Sequence, residues 1–230
     1  MRPIERGDVP LDANEQPKEF KAYKYARQDL IDRVGEYCSY CGMHLDASLA
    51  VEHVKPKVNH PDLRLQWSNF LLACGNCNSI KGSTDIELDD FYWPDRDNTF
   101  LAIEYQEGGR VRANPNLTPG QMKKAEKTIQ LTGLDRVPGN DSAASDRRWI
   151  NRREAWDIAV DSLKDLKKDD SKSMRRQIVR TAKAGYWSVW MTVFRTDADM
   201  RRRFIEEFRG TSKECFDGDC NEVHRPDGAI

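Results

Sequence analysis

Two pairs of cysteines bracket a Glu-His and an asparagine in this chain: Cys38 and Cys41, then Glu52-His53, then Asn69, then Cys74 and Cys77 with Asn78 directly behind. Two thiolates separated by two residues can wrap one side of a zinc ion from a tight knuckle, and two such knuckles complete a tetrahedral sphere. The strings CSYCG and ACGNCN each supply the glycine that a knuckle turn uses, Gly42 and Gly75. A disulfide framework would need an oxidising compartment, but MRPIERGDVP has charges and prolines where a secretory apolar stretch would lie. A redox role for one CxxC is weakened by the presence of two pairs with no βαβ pattern around either. The expectation is therefore a structural Zn2+ held by Cys38, Cys41, Cys74 and Cys77, supplying folding energy on the order of 10 kcal/mol.

The residues between the knuckles point to different chemistry. Hydrolysis of a phosphodiester needs an activated water, a place for charge on the phosphoryl oxygens and help for the leaving oxygen. His53 titrates near neutral pH and can take the proton of a water. Glu52 and Asn78 offer oxygen donors, which suit Mg2+ or Mn2+, and such an ion can act as Lewis acid and stabilise the leaving group.

Three local elements must deliver these groups. LAVEHVKPK is an apolar run ending at a proline and reads as a strand with Glu52 and His53 at its exit; FLLAC, from Phe70 to Cys74, reads as the returning strand. NCNSIKG can form a short helix that presents Asn78 and Lys81 on one side.

With that order in place, the segment resembles the HNH endonuclease family, whose ββα-metal motif carries an acidic residue plus His on the first strand, a central Asn, and a His or Asn on the helix. The resemblance implies His53 as general base, Glu52 and Asn78 as ligands of a catalytic divalent ion, and Asn69 orienting the histidine loop. The acid here is Glu rather than Asp and the last position is Asn rather than His, which leaves the preferred metal open. Longer strings, MRPI, VEHVKPK, HPDLRLQWSNFLLACGNCNSIKG and DDFYWPD, are similar to the HNH nuclease subunits of Septu-type anti-phage defence systems, also found beside some retrons. That similarity implies an ABC-type ATPase subunit as partner and nucleic acid, DNA before RNA, as substrate. The reading of another class is a zinc-knuckle adaptor that grips nucleic acid or an ATPase subunit without cutting.

Remaining histidines and cysteines carry less. His44 and His60 read as ordinary surface or turn residues. Cys215, Cys220 and His224 lie in a polar, glycine-bearing stretch with the wrong spacing for a knuckle, and the expectation there is a frayed tail.

A chain of 230 residues with 38% apolar and 33% charged content, and a mean hydropathy of -0.79, has enough core for one large or two small domains and no apolar run long enough for a membrane span. Reduced cysteines and the absence of a targeting segment suggest the cytoplasm. The near-neutral total hides an asymmetry: from Thr84 to Glu107 acids outnumber bases eight to one, and from Arg147 to Arg209 bases outnumber acids seventeen to ten.

The layout expected is α+β: an N-terminal helix with Phe20, Tyr23, Leu30, Ile31 and Val34 on one side, the zinc-knuckled ββα core, and a C-terminal helical region. ANPNLTPGQ marks the boundary, giving a nuclease domain over residues 1–115 and, over residues 116–230, a helical region for partner or nucleic-acid contact. A hairpin is predicted from a strand over Thr99–Tyr105, a turn at Gly108-Gly109 and RVRA. Beyond it, a helix capped by Thr118 runs to Gly133. A second starts after Ser145 or Asp146 with Trp149, Trp156, Val160, Leu163 and Leu166 on one face. A third runs from about Ser173 into the aromatics Tyr186, Trp187, Trp190 and Phe194, and a fourth carries Met200, Phe204 and Phe208. The arginines Arg147-Arg148, Arg152-Arg153, Arg175-Arg176, Arg180 and Arg201 to Arg203 are placed on outer faces, as phosphate contacts, contacts to an acidic partner, or a solvated surface.

Overall fold

The computed structural model describes residues 1–45, 48–137 and 146–230. The architecture is α+β, with two small antiparallel hairpins set among helices.

The first hairpin pairs β1 (Ala50–His53) with β2 (Phe70–Ala73), in a register that sets Glu52 opposite Leu71 and His53 opposite Phe70. Every residue of β2 is buried, so this strand is the spine of the core at this end. The ladder continues one step past β1, where Val54 N–H donates to the Asn69 carbonyl (2.9 Å). Helix α2 follows at once (Gly75–Lys81), with Cys74 as its N-cap residue, and Gly82 ends it at φ +57°. Ahead of the hairpin, a 3-10 turn (Tyr23–Ala26) leads into α1 (Arg27–Val34), which buries Leu30 and Val34 and stops at Gly35. Phe20 lies before this helix rather than on it, and stacks on Trp67 with ring centroids 6.1 Å apart.

The second hairpin departs from expectation in its first half. Thr99–Ala102 is a helical turn, α3, because the Asn98 side chain accepts from the Leu101 N–H (3.2 Å) and starts it; the strand β3 is only Ile103–Gln106, paired with β4 (Arg110–Ala113). Helix α4 (Pro119–Thr132) has the capping box of Thr118 and Gln121 and ends at Gly133 in the left-handed region, as its sequence predicts.

Helix α5 (Arg148–Lys168) begins just after Asp146, whose carboxylate accepts from the Arg148 N–H (3.0 Å); Ser145, the other cap candidate, lies outside the described residues. The expected third helix is two: α6 (Lys172–Ala182) and α7 (Trp187–Val193). Gly185 (φ +119°) and Tyr186 (φ +57°) break it. A Cβ on Gly185 would lie 2.8 Å from the His44 nitrogen, and Tyr186 N–H donates to the Gly42 carbonyl (2.7 Å), so the break is where the helical region seats against the first cysteine knuckle. Helix α8 (Ala198–Glu207) closes an aromatic core in which Trp190, Phe194 and Phe204 meet.

The stretch after α8 is not frayed. Cys215 and Cys220 are buried, Phe216 bridges Glu222, and Asn98 donates to the carbonyls of Cys215 (2.9 Å) and Val223 (2.7 Å). Arg225 ties the same stretch to Ile4 and Pro94. Asn98, Ile4 and Pro94 lie more than a hundred residues away in sequence, which is why local polarity misreads the segment. No helix among the described residues is long and apolar enough to cross a membrane.

Candidate active site and cysteine cluster

The first knuckle is a tight turn in which Gly42 N–H returns to the Cys38 carbonyl (2.9 Å), and Ser39 N–H donates to the Leu72 carbonyl on β2 (2.8 Å), bringing Cys38 and Cys41 to the strand that leads into Cys74. The second knuckle is the first turn of α2, where Cys77 N–H donates to Cys74 Sγ (3.4 Å). All four sulfurs are buried and lie within 4.8 Å of one another, with Cys41 and Cys74 Sγ 3.8 Å apart. A tetrahedral zinc with sulfurs at about 2.3 Å requires S–S separations of about 3.8 Å, so the cluster fits that ion. Hydrogen bonds from neighbouring thiols hold Cys74 well below the ordinary thiol range, and burial pushes Cys77 up. Among the described residues this is the one place where three or more His, Cys, Asp or Glu ligand atoms gather; Cys215, Cys220 and His224 do not form such a group.

Glu52, His53 and Asn78 line one open cleft of about 420 Å³, together with Tyr23, Lys24, Arg27 and Lys57. Strand alternation sends Glu52 towards α2, where Lys81 Nζ sits 2.8 Å from its Oε1, and sends His53 the other way, edge-on to Tyr23 and Phe70. His53 Nε2 lies 3.0 Å from the Arg64 carbonyl. A carbonyl only accepts, so Nε2 carries the proton and the lone pair is on Nδ1. Burial pulls the imidazole below its ordinary pKa, with the Arg64 carbonyl opposing and Lys57, Lys81 and Arg64 adding to the shift; the ring is neutral at neutral pH.

Asn69 does not line the cleft. It stands behind the loop that does, its Oδ1 accepting from Lys55 N–H (2.7 Å) and its Nδ2 donating to the carbonyls of Lys55 (2.9 Å) and Leu63 (3.2 Å). One amide thus staples both ends of the segment that carries Arg64, and through Arg64 fixes the histidine ring.

Glu52 is 3% exposed, Lys81 1%. Burial raises the Glu52 pKa and the ammonium of Lys81 opposes that rise. Lys81 also donates to the His53 carbonyl (2.7 Å). Helical spacing put Lys81 beside Asn78; what spacing could not show is that Lys81 turns into the protein to neutralise Glu52. Glu52 and Asn78 both line the cleft, and oxygen donors of this kind suit Mg2+ or Mn2+.

The other histidines keep away from this centre. His60 pairs with Asp85 (2.9 Å) and His44 lies 3.8 Å from Glu36. Several arginines assigned to outer faces are instead interior. Arg148, Arg152 and Arg201 are each at most 3% exposed, and Arg175 is engaged by Asp170, Asp197 and Asp199. Backbone carbonyls, carboxylates and the Cys77 sulfur take their donors, so these four are not a phosphate-binding face.

Residues 38–84 match the family model described as HNH endonuclease. The matched residues run from the first knuckle to just past α2. It is also similar to the Septu protein PtuB of Bacillus thuringiensis, 36% identical over 64 residues, which is 26% of this chain and 25% of that protein. The match thus spans about a quarter of the length of that curated relative.

Proposed function

We propose that this chain is a metal-dependent HNH endonuclease that hydrolyses phosphodiester bonds of nucleic acid, DNA in the first instance, by direct attack of water. The observation that carries this reading is His53, held by the Arg64 carbonyl in a cleft it shares with Glu52 and Asn78. The neutral ring keeps its Nδ1 lone pair for the proton of an attacking water, help that is typically worth about 10²- to 10⁴-fold. Glu52 and Asn78 would hold Mg2+ or Mn2+, which when bound supplies Lewis acidity and stabilises the leaving oxygen. Lys24, Arg27 and Lys57 line the same cleft and give the phosphate backbone cationic partners. Asn69 keeps the histidine loop in register. The four cysteines, with a structural Zn2+, hold β2 and α2 to the first knuckle.

Similarity to PtuB supports a nuclease effector of an ATPase-coupled anti-phage system, working with an ABC-type, PtuA-like ATPase subunit. Residues 116–230 would then serve contact with the partner or with nucleic acid, through exposed cations such as Arg153, Arg176, Arg180 and Arg202.

The test is incubation of purified protein with supercoiled plasmid, and separately with RNA, in Mg2+ or Mn2+, alone and with a candidate ATPase of that class. Cleaved product in any arm supports the nuclease. Retention of nucleic acid or ATPase with no cleavage in every arm supports a zinc-knuckle adaptor instead.

A further inference from the structure

Arg148 and Arg152 stand one helical turn apart on α5, and both are buried, Arg148 against the cysteine cluster. Arg148 Nη1 donates to Cys77 Sγ at 3.0 Å and to the Thr132 carbonyl at 2.8 Å; Nη2 donates to Gly133 (2.9 Å), and Asp146 takes a bidentate pair (2.9 and 2.6 Å). Arg152 donates to the carbonyls of Gly109 (2.6 Å) and Leu134 (2.9 Å), and among the described residues it has no carboxylate partner. A guanidinium with only neutral acceptors is costly to bury, and proteins rarely accept it without a compensating negative charge nearby.

With zinc bound, the four cysteines would supply that charge. A divalent zinc in four thiolates leaves a net double negative charge, which itself needs donors and cations around it. Burial lowers the Arg152 pKa, with Tyr105, Cys41 and Tyr186 opposing that shift. The neighbouring break at Gly185-Tyr186 hydrogen-bonds the Gly42 carbonyl, so the same helical region touches both knuckles.

We infer that Arg148 is a positioning residue for the zinc–thiolate cluster: it offsets the cluster's charge by donating directly to the Cys77 sulfur, and in return the metal-loaded cluster docks α5. The helical region is seated by the metal and not by apolar packing alone. This rests on the reading of the four cysteines as a zinc site.

The full-length parent is first assayed for bound zinc, where one ion per chain is expected; a parent that binds none defeats the zinc reading itself. Zinc release to a chromogenic chelator is then followed for the parent, Arg148→Met and Arg148→Lys, and the cobalt-substituted proteins are compared by their sulfur-to-cobalt charge-transfer absorption. Arg148→Met should release zinc about 10- to 100-fold faster, with a displaced charge-transfer band. Arg148→Lys, keeping the charge and a donor but not the fork, should fall between. Parental release rate and band position in Arg148→Met overturn the proposal. If Arg148→Met does not fold, parental release in Arg148→Lys overturns it, and faster release supports it. Hydrogen exchange across residues 148–168 should rise when the parent is stripped of metal; unchanged protection there counts against the docking.

Discussion

Lys81 Nζ lies 2.8 Å from Glu52 Oε1, and both side chains are almost completely buried. The same ammonium donates to the His53 carbonyl, so one cation ties α2 to the end of β1 where Glu52 and His53 sit side by side. Removing it strands a buried carboxylate. Lys81→Met should cost about 3–5 kcal/mol of unfolding free energy, and Glu52→Gln in that background should recover part of it. Urea unfolding of the three proteins checks this; a loss under about 1 kcal/mol would mean that the pair behaves like an exposed one.

Asn69 spans the histidine loop with three hydrogen bonds. Asn69→Ala leaves the Lys55 N–H without its acceptor, an omission worth about 1–3 kcal/mol, and loosens the segment whose Arg64 carbonyl orients His53. A shift of the base by about 1 Å can cost about 10²-fold in rate, so turnover should fall by that order while zinc content stays unchanged. Cleavage rate and metal content measured on the same preparation separate the two; a parental rate would remove Asn69 from the account.

Cys74 is at once one of the four cysteines of the cluster, the last residue before α2, and the acceptor for Cys77 N–H. Cys74→Ser should lose zinc and, with it, the folded core, seen as loss of near-ultraviolet circular dichroism and of a cooperative melt. A variant that retains one zinc per chain and melts with the parent would contradict a scaffolding role for the ion.

Gly109 has φ +72°, and a Cβ there would lie 2.7 Å from the Arg153 nitrogen and 2.9 Å from its Cα. Both atoms are backbone of α5 and cannot swing aside. Gly109→Ala should therefore destabilise by about 1–3 kcal/mol, whereas Gly108→Ala, whose Cβ would meet nothing within 4 Å, should cost only the strain of its own positive φ. Equal melting temperatures for the two variants would show that the turn does not press on α5 in solution.

The cluster and the cleft were legible because their spacing is local: each knuckle closes within a few residues, and Glu52-His53 rides on four residues of strand. The rest was hidden where tertiary partners override local preference. Arg148 and Arg152 look like surface cations until Cys77, Thr132, Gly133, Gly109 and Leu134 supply interior acceptors from three other segments. Aromatic periodicity runs on through Tyr186, yet the approach of the first knuckle forces a left-handed residue there and splits the helix. At Thr99, β-favouring side chains lose to the cap that Asn98 provides.

The central claim is that His53 is the base of a nuclease whose scaffold does not depend on it. The direct measurement is cleavage of a defined nucleic-acid substrate by the parent and by His53→Ala under the metal and partner conditions in which the parent cuts, with zinc content and melting recorded alongside. The account predicts at least a 10²-fold fall in rate with one zinc retained and the melt unchanged; a His53→Ala protein that cuts at the parental rate would contradict it.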